Sequence, residues 1–546
     1  MHIGVGKQRI DSITVIWPDK SFETLLKIDT SAFTIPYKKG LPLFDFKRLQ
    51  NLQLNNTTPV TDITAQTGLL YKHEENPFVE FDREPLIPFM VSKEGPGVAI
   101  GDVNKDGLDD VFMGGAKGKR SALFIQSPDG RFQKSAQPAL DADSTYEDVD
   151  ASWIDVNGDG KTDLVVASGS NEYYGTDKHL QPRVYLNDGS GGLVALPNAF
   201  AGIYLTASCI VPYDFNGDGA MDVFVGGRAV PWAYGQVPKS YLLQNNGQGI
   251  FKDVTEQYSK ALSNAGFVKS ALWEDLDKDG DKDLLLALEW DGICAFINNK
   301  NSFEKKYLTD KRGWWNFLLP CDVDGDGDMD LIAGNHGLNS RLKASLKEPV
   351  RLYFNDFDGN DKKEQLLTYY LDGKELPFAT KDELQKQIPH LKKKFLYAED
   401  LAKASLQDVF TADKLQKASV LSADYFSNAV LLNNGNFNFT VNALPWGAQL
   451  TSYKDAVVVN ANGDALPDIL MMGNFYEANV QMGRSDADFG TLLLNKGKGV
   501  FETSLFNGLP VKGQVRHIKP LKIKHQQAYI LAKNNDSLQV IRFADQ

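Results

Sequence analysis

The 546-residue sequence is poor in the residues that carry redox and zinc chemistry, with 3 cysteines and 7 histidines. Cys209, Cys294 and Cys321 form no C-x-x-C pair, and each lies in an apolar, strand-like stretch. They read as buried free thiols. No two histidines stand at H-x-x-x-H spacing, which argues against a zinc site. Positive charge is also short: 58 Lys and Arg face 71 Asp and Glu, a net charge of −13. That is the wrong sign for a nucleic-acid or anionic-membrane partner. No apolar run approaches the ~20 residues of a membrane-spanning helix. Met1 leads straight into "HIGVGKQRIDSITVIWPDK", which reads as strand where a signal peptide would carry an apolar core. What remains is the composition of a folded chain, 42% hydrophobic and 24% charged, and too long for one ordinary core.

What the sequence does have is aspartate in one pattern. "DVNKDGLDD" starts at Asp102, "DVNGDGKTD" at Asp155, "DFNGDGAMD" at Asp214, "DLDKDGDKD" at Asp275 and "DVDGDGDMD" at Asp322. All obey D-x-[DN]-x-D-G-x-x-D, with starts 53, 59, 61 and 47 residues apart. Chance supplies on the order of a thousandth of such a match in a chain this long. A hard dication such as Ca²⁺ takes six to eight oxygens at about 2.3–2.6 Å. Side chains at positions 1, 3, 5 and 9 of a tight loop can converge on one point, the position-7 carbonyl adds an oxygen, and glycine at position 6 permits the turn. The predicted ligands are therefore Asp102, Asn104, Asp106 and Asp110 with the Leu108 carbonyl, then Asp155, Asn157, Asp159 and Asp163 with Lys161. The next loops give Asp214, Asn216, Asp218 and Asp222 with Ala220, Asp275, Asp277, Asp279 and Asp283 with Asp281, and Asp322, Asp324, Asp326 and Asp330 with Asp328. A weaker copy holds Asp356, Asp358, Asn360 and Glu364 with Lys362. Another, from Asn460 to Asp468, replaces the glycine with Ala465. About five Ca²⁺ ions are expected, with a sixth site in the Asp356 loop. An EF-hand would need Glu at position 12, where these loops have Met113, Val166, Val225, Leu286 and Ala333.

Short β-like runs follow each loop, as in "VFMGG" and "LLLAL", and further on come Asn/Gly turns between strands, as in "SYLLQNNGQGIFKDV". Four antiparallel strands in ~60 residues, repeated, predict an all-β propeller. Seven blades are favoured and eight are the alternative, depending on whether the Asp356 loop pairs with the later "AVLLNNG". The last unit shows three strands, and Asn76–Pro85 is expected to supply its fourth. From 374 to 423 the pattern breaks into a helical insertion, opened by a Thr380/Glu383 capping box.

The acidic loops resemble FG-GAP/VCBS repeats, the family of the integrin α-subunit propeller, over roughly residues 80–543. That resemblance implies Ca²⁺ in the loops and an extracellular or cell-surface setting. Residues 1–40 are similar to the ASPIC/UnbV module, whose pattern runs from His-x-G-x-G to Trp-Pro-Asp-Gly, with Lys20 in place of the last glycine. The expected organisation is a truncated module at 1–40, a linker at 41–75 and a propeller at 76–546, forming the C-terminal part of a longer exported protein.

Function is read three ways: a binding or adhesion module for a protein or glycan, a polysaccharide lyase or hydrolase, or a scaffold docking through its insertion. The first is favoured, because no catalytic set is recognisable. Candidate ligand-binding residues are Arg228, Trp232 and Tyr234 in "GGRAVPWAYGQVP", His336 in "GNHGLNSR", and Tyr476, Glu477, Arg484 and Asp486 in "GNFYEANVQMGRSDADFG". Trp314 and Trp315 in "RGWWNF" add aromatic surface. Each has a structural alternative, since aromatics wedge between blades and Arg–Asp pairs tie loops down.

Overall fold

The computed structural model describes residues 10–26, 34–47, 57–507 and 509–543. It divides into two units, Met1–Thr57 and Thr58–Gln546. In the first, strands Ser12–Ile16 and Phe22–Leu26 form an antiparallel hairpin. Lys20 sits in its turn at a φ of 67°, a conformation that favours glycine. Asp19 steadies this turn by accepting from the Ser21 amide (3.0 Å) and the Tyr37 hydroxyl (2.7 Å). The His-x-G-x-G start of the expected module lies outside the described residues.

The second unit is a β-propeller. Its first sheet shows the recurring plan: Val98–Gly101, the Asp102 loop, Asp110–Met113, Ala122–Gln126, a tight turn, and Phe132–Ser135, hydrogen-bonded in chain order. Sheets starting at Asp148, Thr206, Phe267 and Tyr453 repeat it. The second strand of each is apolar on both faces, and Asp163–Ser168 and Val223–Ala229 are buried throughout, as strands covered on both sides should be. Cores lie between neighbouring sheets. Val165 and Val184 of one sheet meet Ile210, Val225 and Leu243 of the next. The first strands touch in succession, from Val98–Gly101 through Asp148–Ile154, Thr206–Pro212, Phe267–Glu274, Phe317–Cys321 and Tyr453–Val459 to Gln514–Ile523, which touches Val98–Gly101 again. The three cysteines are buried and unpaired, as expected.

Two expectations are corrected. The closing sheet takes its fourth strand from Thr57–Asp62, which pairs antiparallel with Gln539–Phe543 (Val60 opposite Phe543). Asn76–Pro85 forms no strand there. Its Glu80 is buried in a 3₁₀ turn, and one carboxylate oxygen accepts from the Val91 and Ser92 amides at 2.9 and 3.1 Å. The closing strand thus falls inside the stretch expected to be linker.

The second correction concerns the insertion. "AVLLN" (Ala429–Asn433) pairs with Asp330–Gly334 inside the fifth sheet, so it is no partner for the Asp356 loop. That loop joins Val350–Asn355 to Glu364–Leu371 in a separate four-stranded sheet, completed by Lys374–Pro377 and Ser419–Ala423. The insertion is therefore a sheet as well as the five short helices between Lys381 and Lys417. Leu384, Ile388, Leu391 and Leu406 of these helices pack on Phe357 and Leu366 of that sheet. The Thr380/Glu383 capping box is present.

Candidate functional site

The aspartate loops lie at one end of the sheets, and the side chains expected to be ligands fall into two kinds. The position-1 side chain folds back over its own loop: Asp155 accepts from the Gly158 amide at 2.8 Å and from the Gly160 amide at 2.8 Å. Asp214 does the same with Gly217 and Gly219. Position 9 is buried and clamps the hairpin. Asp163 takes the Val156 amide at 3.1 Å and the Asn187 amide at 2.8 Å. Asp110, Asp283 and Asp330 repeat this with Val103 and Gln126, Leu276 and Asn298, and Val323 and Asn433. Burial pushes the Asp110 and Asp330 carboxyls up to about 6 and those of Asp222 and Asp283 up to about 7, with the neighbouring loop carboxylates adding to the rise. Position 5 is exposed and holds the position-7 amide, as Asp159 holds Lys161 at 2.9 Å.

Three of the loops bring acidic oxygens together within 4.8 Å: Asp275, Asp277 and Asp279; Asp322, Asp324 and Asp330; Asp356, Asp358 and Glu364. Asp275 Oδ1 and Asp358 Oδ1 are buried and lack a hydrogen-bond donor. Converging carboxylate oxygens with orphaned lone pairs fit a hard dication. Asp109, at position 8, turns out of its loop and accepts from the Lys522 amide of the neighbouring sheet at 2.7 Å.

The asparagine that closes most of the third strands reads in the sequence as a hairpin residue, but in four sheets it also joins its sheet to the one before. Asn245 Nδ2 donates to the Val156 carbonyl of the preceding sheet at 2.8 Å, while its oxygen accepts from the Gly247 and Gly249 amides. Asn187, Asn298 and Asn495 reach back in the same way to Val103, Phe215 and Val323. The recurrence of Asn before each turn was the available signal.

The candidate ligand residues gather at the opposite end of the sheets, in two groups. Trp232 is 43% exposed and Tyr174 59% exposed. Their rings lie 4.0 Å apart, with the Arg83 guanidinium 4.7 Å above Trp232. The second group surrounds the axis. Arg228 is fully buried and bonds Glu94 (2.9 Å) and Glu289 (2.6 Å), and the buried Tyr234 hydroxyl donates to Glu289 at 3.0 Å. His336 is held edge-on by Trp314 at 4.8 Å, and burial pushes its imidazole down to about 3. The Arg484 guanidinium lies 5.3 Å from the Tyr476 ring. The Glu477 carbonyl accepts from the Met90 amide, and Asp486 is exposed. Trp315 is buried, donating to the Lys311 carbonyl. Arg228 and Tyr234 therefore serve the interior, and His336 and Arg484 line an axial pocket with Lys269 and Lys454. These two lysines were not singled out in the sequence, because they share a position only once the first strands are aligned.

A third group sits deeper. His73, Glu75 and Glu147 each bring one polar atom within 4.8 Å of the others, and among the described residues His73 Nε2, Glu75 Oε2 and Glu147 Oε1 are buried without partners. His73 Nδ1 accepts from the Asn535 amide at 3.1 Å, which places the ring proton on Nε2. A protonated Nε2 is a donor facing two acceptors, the set one water molecule satisfies, and it has no lone pair for a metal.

The geometry defines a β-propeller with repeated acidic hairpin loops. The FG-GAP-like repeat family model matches it at residues 102–166, 155–225 and 275–333. No curated protein matches the chain. Among solved structures it is similar to the V. cholerae biofilm matrix protein Bap1, at 12% identity over 89% of this chain and 91% of that one (TM-score 0.32). It is also similar to BBS1N in complex with ARL6DN, at 9% over 84% and 95% (0.38), and to an ancestral GH74 enzyme, at 11% over 84% and 48% (0.38). These TM-scores are too low to carry an argument, and the architecture stands on strand order and repeats.

Proposed function

We propose that this chain is a calcium-stabilised, seven-bladed propeller that binds a protein or glycan ligand in an extracellular or cell-surface setting. In this reading the Asp356 sheet is an insertion in the fifth blade, and the ASPIC/UnbV-like module precedes the ring. The observation that carries the reading is the pair of orphaned, buried oxygens, Asp275 Oδ1 and Asp358 Oδ1, in loops whose carboxylates converge. Five loops hold Ca²⁺ and the Asp356 loop holds a sixth ion. The ion's part is structural: it cancels the repulsion of clustered carboxylates and fixes each hairpin. The ligand face is the opposite end, where Tyr174 and Trp232 offer an exposed aromatic pair suited to stacking on a sugar or an apolar side chain.

The test is thermal unfolding in chelator and then in millimolar Ca²⁺. Sites of this class bind with dissociation constants of about 10⁻⁴–10⁻³ M. At ten times that value each site adds roughly 1.4 kcal/mol, so the midpoint should rise by many degrees. An unchanged midpoint sinks the calcium reading. A glycan array and a protein pull-down, each run with Trp232→Ala as control, test the ligand face.

A further inference from the structure

Five of the seven first strands carry a β-bulge near their starts. In three of these the register shifts fall at Val268/Ser270, Tyr453/Asp455 and Val515/His517. The residues skipped by the ladder are Lys269, Lys454 and Arg516. A bulge re-aims the side chain it carries, and here three bulges bring cations to one place, the axial pocket and its inner wall. Lys269 Nζ sits 2.7 Å from both Glu94 oxygens. Arg228 also bonds Glu94, and bonds Glu289 beyond it. Two carboxylates thus answer two cations. Lys454 and Arg516 remain. Among the described residues Lys454 has no ion-pair partner, and its ammonium donates to the neutral Asn316 Oδ1 at 3.0 Å. Arg516 donates to the Asn474 and Lys93 carbonyls and to Gln514 Oε1. Glu94, Glu477 and Glu75 act on it from further away, making no hydrogen bond with it.

Glu94 and Glu289 also line the pocket, but both carboxylates are already engaged by Lys269 and Arg228. Trp314 Nε1, 3% exposed with its ring, has no partner among the described residues. Arg484 stands at the rim. Phe89, Trp314 and Phe475 form the walls, and the Lys454 ammonium and Arg516 guanidinium each lie 4.7 Å from the Phe475 ring. Burial pushes the Lys454 ammonium well below its usual range, Lys269, Arg516 and Arg228 push it further, and Glu94 opposes them. A half-buried amine with no hydrogen-bonded carboxylate regains its charge when an anion sits beside it, and this one occurs in a molecule of net charge −13.

We propose that the axial pocket binds an oxyanion, the carboxylate or sulfate group of an acidic ligand, held by Lys454 and the Trp314 indole N–H with Lys269 and Arg516 behind. The volume of about 50 Å³ holds a few water-sized groups, enough for the anionic group, so the body of the ligand lies outward along Phe89 and Arg484. The inference deepens the reading of this end as the ligand face and does not depend on calcium.

The experiment is thermal unfolding and calorimetric titration of the full chain in saturating Ca²⁺, with acetate, sulfate, glucuronate and neutral glucose, at ionic strength matched with sodium chloride. Acetate, sulfate or glucuronate should give a saturable rise in melting temperature that glucose does not. Glucuronate tighter than acetate assigns the site to a sugar acid, and sulfate tighter than both assigns it to a sulfate ester. Lys454→Met should melt at or above the wild-type temperature without ligand, because it removes an amine that has no ion-pair partner among the described residues, and should weaken anion binding at least tenfold. Lys454→Arg should restore part of it. No saturable anion response in the wild type, or an equal response in Lys454→Met, overturns the proposal. Either result leaves the chelator experiment untouched.

Discussion

Within one acidic loop, neighbouring carboxylates answer to different demands. Asp163 is buried and satisfies two backbone amides, whereas Asp159 is exposed and bonds its own loop. Asp163→Ala should therefore cost about 2–4 kcal/mol even in chelator, since two buried N–H groups lose their acceptor. Asp159→Ala should cost less than about 1 kcal/mol in chelator and forfeit most of the local calcium gain. Urea unfolding of both variants with and without Ca²⁺ checks this, and equal calcium sensitivity would contradict it. The sequence pattern marked both residues as ligands. It could not separate them, because spacing reports convergence and says nothing about which oxygens already have donors.

His336 supplies a pH test. Its folded-state pKa is depressed to about 3 by burial, with Lys454 and Lys343 adding to the fall, against about 6.5 in the unfolded chain. The unfolded chain then binds more protons below pH 6.5, so this group's contribution to stability is full above 6.5 and is lost as pH falls toward 3. Other buried groups titrate too, so the useful quantity is a difference. His336→Phe, which keeps the contacts with Trp314 and Phe426, should gain on the wild type steadily between pH 6.5 and 4. A pH-independent gap in melting temperature would show the imidazole to be irrelevant.

At the scale of the element, the unit of cohesion is the sheet plus its latch to the sheet before. Asn245→Ala removes the bond to Val156 and leaves the Gly247 and Gly249 amides without their acceptor. It should cost about 2–4 kcal/mol. Its neighbour Asn246, whose side chain accepts only from amides of the exposed turn, should cost less than about 1 kcal/mol on the same change. Similar denaturation midpoints for the two variants would refute the latch. The insertion behaves as an element of the same kind. Removing 374–423 would strip Ser419–Ala423 from Val350–Asn355 and uncover Phe357 and Leu366, so a strong loss of solubility is expected, where the sequence showed only a helical insertion. The helices were legible from capping and periodicity. The sheet beneath them was not, because its strands lie on both sides of the helical stretch.

At the scale of the whole molecule, the repeat made the ring legible, since five near-identical loops at a regular period fix the plan of each sheet. Closure was not legible. Thr57–Asp62 reads TTPVTD, with Pro59 among polar residues, a poor advertisement for a strand. Asn76–Pro85 alternates Val79, Phe81 and charge as an edge strand would, yet folds as a turn around buried Glu80. Pairing across the ends supplies what local pattern lacks. A chain beginning at residue 64 should therefore melt far below one beginning at residue 57, although the two differ by one short strand. Matching melting temperatures would show the sheet closes without it.

That pairing also sets an order in time. Val98, Val111 and Phe124 of the first sheet are covered by Leu521, Ile523 and Ile530 of the last. A ribosome completes the first sheet long before it reaches residue 514, so through most of synthesis this apolar flank has no cover. The chain's exposure to misassembly is thus concentrated while it is still being made, and ends when its two extremities meet.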